Sequence, residues 1–271
     1  MKKKVKKRLF TLTMTAMVIL GALLSTGCSS YYFPQMGRMP LHTQQGELVA
    51  EVGIPQIIGS AVMAVDEQRL AGNIMYQASC SYAVTDHLAV QLSSRNVMDP
   101  RHQVMVGWYN PLSEHATFEV YGGYAYQKCS YVNDAMIDLE GYSDYRLQGN
   151  AQTVFVQGDI GFPSYKPAWS NRIEFTAGAG LRAGGVLMNY HRYDYERVYD
   201  GTSSSVVMTG EGDYSAKMFE LQPMVQLGVG GPRWKIEIGA CYSLMLGPGW
   251  PTTYPFSTNL SVTYRIPLLS K

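Results

Sequence analysis

From about residue 46 to the carboxyl end, apolar and polar residues exchange places one by one, and a period of two is what a strand with two unlike faces produces. In residues 87–96, Leu88, Val90 and Leu92 oppose Ala89, Gln91 and Ser93. Between 151 and 162, Val154, Val156 and Ile160 oppose Thr153, Gln157 and Asp159. Segment 218–230 sets Phe219, Leu221, Val225 and Leu227 against Glu220, Gln222 and Gln226. The alternation recurs through about 46–54, 71–84, 102–112, 115–128, 172–186, 234–247 and 257–268, which makes ten segments, with eight strands as the alternative count. No long stretch has helical periodicity, so the expected fold is all-β and a single domain.

The connections alternate between long and short. Long loops are expected at 55–70, 129–150 and 187–217, and tight turns at Thr85-Asp86, Pro111–Glu114 and Gly230–Arg233. Short turns at one end and longer loops at the other are the wiring of an antiparallel up-and-down transmembrane β-barrel. A soluble barrel with an apolar cavity and a two-sheet sandwich could also show alternation. The polar face decides between them, because it carries Gly, Ser, Thr and Gln with isolated charges rather than the Lys and Glu of a solvated sheet. Trp108, Tyr124, Tyr126, Trp234, Tyr242 and Tyr264 fall near strand ends on the apolar face, where interfacial girdles lie. An outward apolar face meeting lipid is therefore the expectation.

The amino terminus has a separate character. Residues 2–8 hold five Lys and one Arg, Leu9–Leu24 carry no charge, and L-S-T-G-C ends at Cys28. That is the layout of a secretory signal over residues 1–27, with an apolar run too short to favour a transmembrane helix. Removing it takes six basic groups and no acidic ones. The remainder then carries 16 basic against 21 acidic residues, a charge of −5, where the whole chain shows +1. The low charge of the chain, 16% of its residues, argues against a nucleic-acid partner.

The ending at Gly-Cys resembles a bacterial lipoprotein signal, with Ser25 where that family usually has Leu. The resemblance implies a lipidated Cys28, a lead over 28–45 and a barrel over 46–271. The Y-Y-F-P lead, the G-E-L-V-A-E-V-G opening strand, the S-Y-A-V-T-D-H-L-A-V hairpin and the E-V-Y-G-G-Y-A-Y segment also resemble the small lipidated outer-membrane β-barrel proteins of Gram-negative bacteria. That likeness implies an outer-membrane location with the N-terminus on the periplasmic side and outer-membrane lipid as a partner. It brings no catalytic signature. Cys80, Cys129 and Cys241 have no clip spacing and are expected to be isolated.

With the apolar face outward, Glu47, Glu51, Glu119, Asp159, Arg172, Glu174, Arg182, Glu220, Lys235, Glu237 and Arg265 point into the lumen. Closure of the first strand on the last brings Glu47 and Glu51 towards Arg265. So narrow a barrel is filled by side chains and its buried charges need partners, so a salt-bridged, largely plugged lumen is expected. The alternative is a narrow porin-like channel or uptake barrel for small solutes, favoured by the room at Gly178, Gly180, Gly184 and Gly239.

Catalytic patterns are missing. No D-x-D or D-x-H, as in ten-stranded outer-membrane proteases, occurs in the chain. His42, His87, His102 and His115 lack partners in sequence. His191 stands near Asp194, Glu196 and Ser203–Ser205, which leaves an outer-loop hydrolase as the weakest reading. No cofactor, metal or enzyme activity is expected. Tyr190, His191, Tyr193, Tyr195 and Tyr199, interleaved with charges, instead form a candidate recognition surface for an extracellular protein or glycan.

Overall fold

A computed structural model describes residues 37–56, 76–96, 100–113, 115–133, 143–168, 172–199, 204–247 and 256–268. The expected signal, Cys28, and the first part of the lead lie outside the described residues. All regular structure among the described residues is strand: β1 (Glu47–Gln56), β2 (Tyr76–Ala83), β3 (Leu88–Asn96), β4 (Pro100–Pro111), β5 (Thr117–Asn133), β6 (Ser143–Tyr165), β7 (Glu174–Tyr199), β8 (Ser204–Gly230), β9 (Trp234–Tyr242), β10 (Leu244–Leu246) and β11 (Phe256–Pro267). Consecutive strands from β1 to β9 pair antiparallel, and β9–β11 and β11–β1 close the ring.

β9 and β10 are one stave with a break. Met224 faces Cys241 and Leu221 faces Leu244, so the register runs through unchanged. The interruption falls opposite Gln222 and Pro223, and a proline has no N–H to give to a ladder. The wall therefore has the ten staves expected from the alternation, and the eight-strand alternative is excluded. Following partners once round, from Val229 through Ile236, Val262, Val52, Ala78, Ser94, His102, Tyr126, Gln152 and Leu187, returns to β8 at Lys217, twelve residues away. Ten staves with that stagger imply a strand tilt of about 40° and a backbone radius of about 10 Å.

The faces are sorted inside out. Val156 is 58% exposed while its neighbour Gln157 is fully buried in the lumen. Leu88, Phe219, Leu227, Ile238 and Val262 share the outward belt. A soluble barrel buries its apolar face, so this distribution rules it out together with the sandwich; the belt is one that lipid covers. The six expected girdle aromatics all take outward positions, with Trp234 and Tyr264 in ring contact at 4.0 Å. Short turns are capped by hydroxyls. Thr85 Oγ1 accepts from the Leu88 amide at 2.9 Å, and Ser113 Oγ from the Ala116 amide at 3.1 Å.

Two expectations are corrected. The stretches 129–150 and 187–217 are largely strand, since β5 continues to Asn133, β6 begins at Ser143, and β7 and β8 meet near Tyr199 and Ser204. Above the belt the outward face no longer needs apolar residues, so the hydrophobic alternation stops while the hydrogen-bond ladder goes on. Arg172, expected inward, is exposed and precedes β7, so no strand alternation directs its side chain into the lumen.

Candidate functional site

The lumen holds a segment that is not wall. Gly37–His42 lie inside the barrel ahead of Thr43–Gly46, the turn into β1. Arg38, Met39, Leu41 and His42 are all buried. No ladder is available to them there, so wall side chains must satisfy their backbone polar groups. Glu119 accepts from the amides of Leu41 at 3.0 Å and His42 at 2.7 Å. Arg265 donates to the carbonyls of Pro40 at 2.7 Å and Leu41 at 3.1 Å. Gln157 donates to the Arg38 carbonyl at 3.0 Å, and Thr117 to the His42 carbonyl at 3.2 Å.

The side chains of the lead are held in the same way. Arg38 pairs with Glu51, and with Glu237 at 2.7 Å. The His42 ring shares a hydrogen bond with Ser81 Oγ at 2.7 Å and lies 3.6 Å from Glu47. Met39 and Leu41 fill wall glycines: a Cβ on Gly178 would meet Met39 Sδ at 2.9 Å, and one on Gly161 would meet Leu41 Cδ1 at 2.8 Å. The room left by inward glycines is thus taken up, at Gly178, by the chain's own lead. Leu41 adopts φ of 53°, the left-handed region that a bulky residue avoids. Such a conformation costs about 1–2 kcal/mol, so the contacts around Leu41 impose it.

Glu47, Glu51, Glu119, Asp159, Glu174, Arg182, Lys235, Glu237 and Arg265 all face the lumen, but they do not form one network. Arg265 binds Glu47 at 2.7 Å, as closure of β1 on β11 requires. Lys235 donates to the Pro163 carbonyl at 2.5 Å and lies 3.7 Å from Glu174. Arg182 sits apart, bonded to Gln157 at 2.6 Å and Gln103 at 3.0 Å, its guanidinium 4.1 Å from the Phe155 ring centre. Gln157 also donates to Asp159 at 2.7 Å. Glu220, Arg95 and Arg101 are inward and buried as well.

Sequence reasoning placed the carboxylates and missed what they hold. Arg38 is the one charged side chain among residues 29–45, flanked by Met36, Met39 and Leu41, and that isolation was the available signal. Arg95 and Arg101 went unnoticed because they sit at the margins of their segments.

The outer recognition residues are split by the strand they belong to. Tyr190 stacks on Tyr214 with ring centres 5.5 Å apart and packs on the inward cluster of Leu147, Met188 and Met218. His191 points the other way, bonded to Asp213 at 2.8 Å and touching the Tyr193 ring at 4.4 Å. Tyr195 follows a register shift after Asp194, and Tyr199 ends β7 with its backbone opposite Ser204. Alternation thus divides the expected single aromatic surface into two faces. The backbones of Ser204 and Ser205 pair with Tyr199 and Val198, whereas His191 pairs with Asp213; Ser203 lies outside the described residues. Cys80, Cys129 and Cys241 are in no disulfide among the described residues.

Fold and site define a class: a ten-stave, inside-out barrel whose lumen is occupied by its own N-terminal lead. No protein-family model matches the chain, and no curated protein matches it. Among solved structures it is similar to the CymD monoaromatic hydrocarbon channel, at 8% identity and TM-score 0.26 over 82% of this chain and 88% of that one. It is similar also to the Ralstonia pickettii toluene transporter TbuX, at 8% identity and TM-score 0.25 over 82% and 90%. At that level of superposition neither protein's solute is carried over to this chain.

Proposed function

We propose that the chain is a non-enzymatic outer-membrane barrel lipoprotein, tethered through Cys28, that admits small solutes through a lumen shut by its own lead. One observation carries the reading. Among the described residues Gly37–His42 are held by side-chain contacts alone, so the lead can leave while every ladder of the wall stays whole. A permanent plug needs only wall side chains, whereas here the room at Gly178 is filled by Met39 and Leu41 of the lead. The strain at Leu41 acts in the same direction, favouring release once the clamps loosen. In this reading the short turns and the start of β1 face the periplasm.

Planar-bilayer recording tests it. The full chain is expected to stay closed with brief openings, and a chain in which Cys28 is followed directly by Thr43 to conduct steadily. A folded deletion chain as silent as the full one refutes the gate and returns the lumen to a structural plug.

The projecting hairpin supports a second role in recognising an extracellular protein or glycan. β7 runs twelve residues beyond Leu187, the last apolar residue of its outward belt, and carries Tyr190 against the half-exposed Tyr214. Binding of cells or immobilised glycans that survives Tyr214→Ala and removal of the hairpin tip counts against it.

A further inference from the structure

The lead's charged anchor sits in a place built by the wall. Glu51 accepts from Ser79 Oγ at 3.0 Å and from Asn259 Nδ2 at 2.8 Å. Glu237 accepts from Gln226 Nε2 at 3.1 Å and from Thr263 Oγ1 at 2.5 Å. None of those donors belongs to the lead. The two carboxylates are therefore aimed by β2, β8 and β11 whether or not Arg38 is present, which is how a binding site is pre-organised. Both side chains are almost wholly buried, and a buried carboxylate needs a counter-charge.

Among the described residues no wall cation forms an ion pair with either carboxylate. Lys235 is committed to the Pro163 carbonyl and Glu174, and Arg265 to Glu47 and the lead carbonyls. Over the inward positions described, seven carboxylates face five cations, so the lumen is short of positive charge until Arg38 enters. A further observation marks the place as a ligand site. Beside Arg38, Glu51 and Ser79 remains a cavity of about 10 Å³, the room of one water molecule. Gln91 lines it, 1% exposed, with both its amide oxygen and nitrogen lacking a hydrogen-bond partner.

We infer that Glu51 and Glu237 form a cation site which Arg38 occupies as a tethered stand-in, and which takes the guanidinium or alkylammonium group of a small solute when the lead withdraws. This rests on the lead being displaceable. A planar guanidinium suits two carboxylates set about one point, because its donors fork towards both. Gln91 then offers a donor and an acceptor to whatever the solute carries beyond its cationic head.

Chemical rescue with methylguanidinium tests the site in the detergent-solubilised full chain, read by the temperature at which the folded, fast-migrating band is lost. Arg38→Ala is expected to lower that temperature, and millimolar methylguanidinium to restore most of the loss, while equal potassium does not. Arg38→Ala combined with Glu51→Gln and Glu237→Gln is expected not to respond. No rescue of folded Arg38→Ala, or equal rescue of all chains, overturns the site.

Should Arg38→Ala not fold, the wild-type chain gives the answer. Methylguanidinium competing for the site speeds tryptic cleavage after Arg38 severalfold, and an unchanged rate overturns the inference. A lead-deleted barrel that conducts yet ignores methylguanidinium removes this inference alone. One that binds methylguanidinium but never conducts removes the gate alone.

Discussion

Glu119 is the strongest single handle on the lead. It is wholly buried, and its two oxygens take the amides of Leu41 and His42 at 3.0 and 2.7 Å. In Glu119→Gln the side chain keeps its shape but has one acceptor where there were two, and turns an NH2 towards an amide that needs an acceptor. One charge-assisted bond is lost and the other becomes neutral. Hydrogen bonds to charged groups are worth about 1.5–3 kcal/mol and neutral ones about 1, so the lead loosens by about 2–5 kcal/mol. At 1.4 kcal/mol per tenfold, the withdrawn population rises roughly 30- to 4,000-fold. Trypsin reads that population directly, because the bond after Arg38 is enclosed and cleavage of a transiently opened state follows its equilibrium share. The expected result is cleavage after Arg38 faster by that factor, with the barrel still migrating as folded. A folded Glu119→Gln chain cut no faster than wild type refutes the idea that this carboxylate clamps the lead.

Three further outcomes test the surroundings. Val156→Lys places a charge on the lipid face of β6, so urea titration of vesicle-inserted protein should show a loss of about 2–4 kcal/mol. Trp234→Ala breaks the ring contact with Tyr264 and should cost about 0.5–1.5 kcal/mol beyond the lost burial in the same titration. Metabolic labelling with a radioactive fatty acid should mark the wild-type chain, and Cys28→Ala should abolish the label; label retained in Cys28→Ala refutes the tether.

The wall was legible because lipid and lumen impose opposite demands on neighbouring residues. Val156 and Gln157 record this in adjacent letters, and so do Phe219 and Glu220. Where only one demand acts, the record thins. Asn189–Arg192 and Glu211–Ser215 are strand on both sides of a ladder, yet water bathes them and their composition is that of a loop. The lead was illegible for a different reason. Its partners Glu119, Gln157, Ser81 and Arg265 come from four strands far apart in the chain, and no local pattern announces a contact of that kind. The carboxylates could be assigned to the lumen from their parity, but their partner could not, because it came from outside the repeating pattern.

The placement of the lead also bears on how such a barrel is put together. Glu47 and Pro267 are partners across the seam, so the ring is sealed only by bringing the two ends of the barrel sequence together, the longest-range and slowest pairing in the chain. The lead adjoins β1 and is surrounded once that seam is sealed. It is therefore expected to act as an internal mould during assembly, bringing Glu51 and Glu237 their counter-charge before the wall shuts around them. A chain stripped of its lead should close its seam more slowly than the intact one.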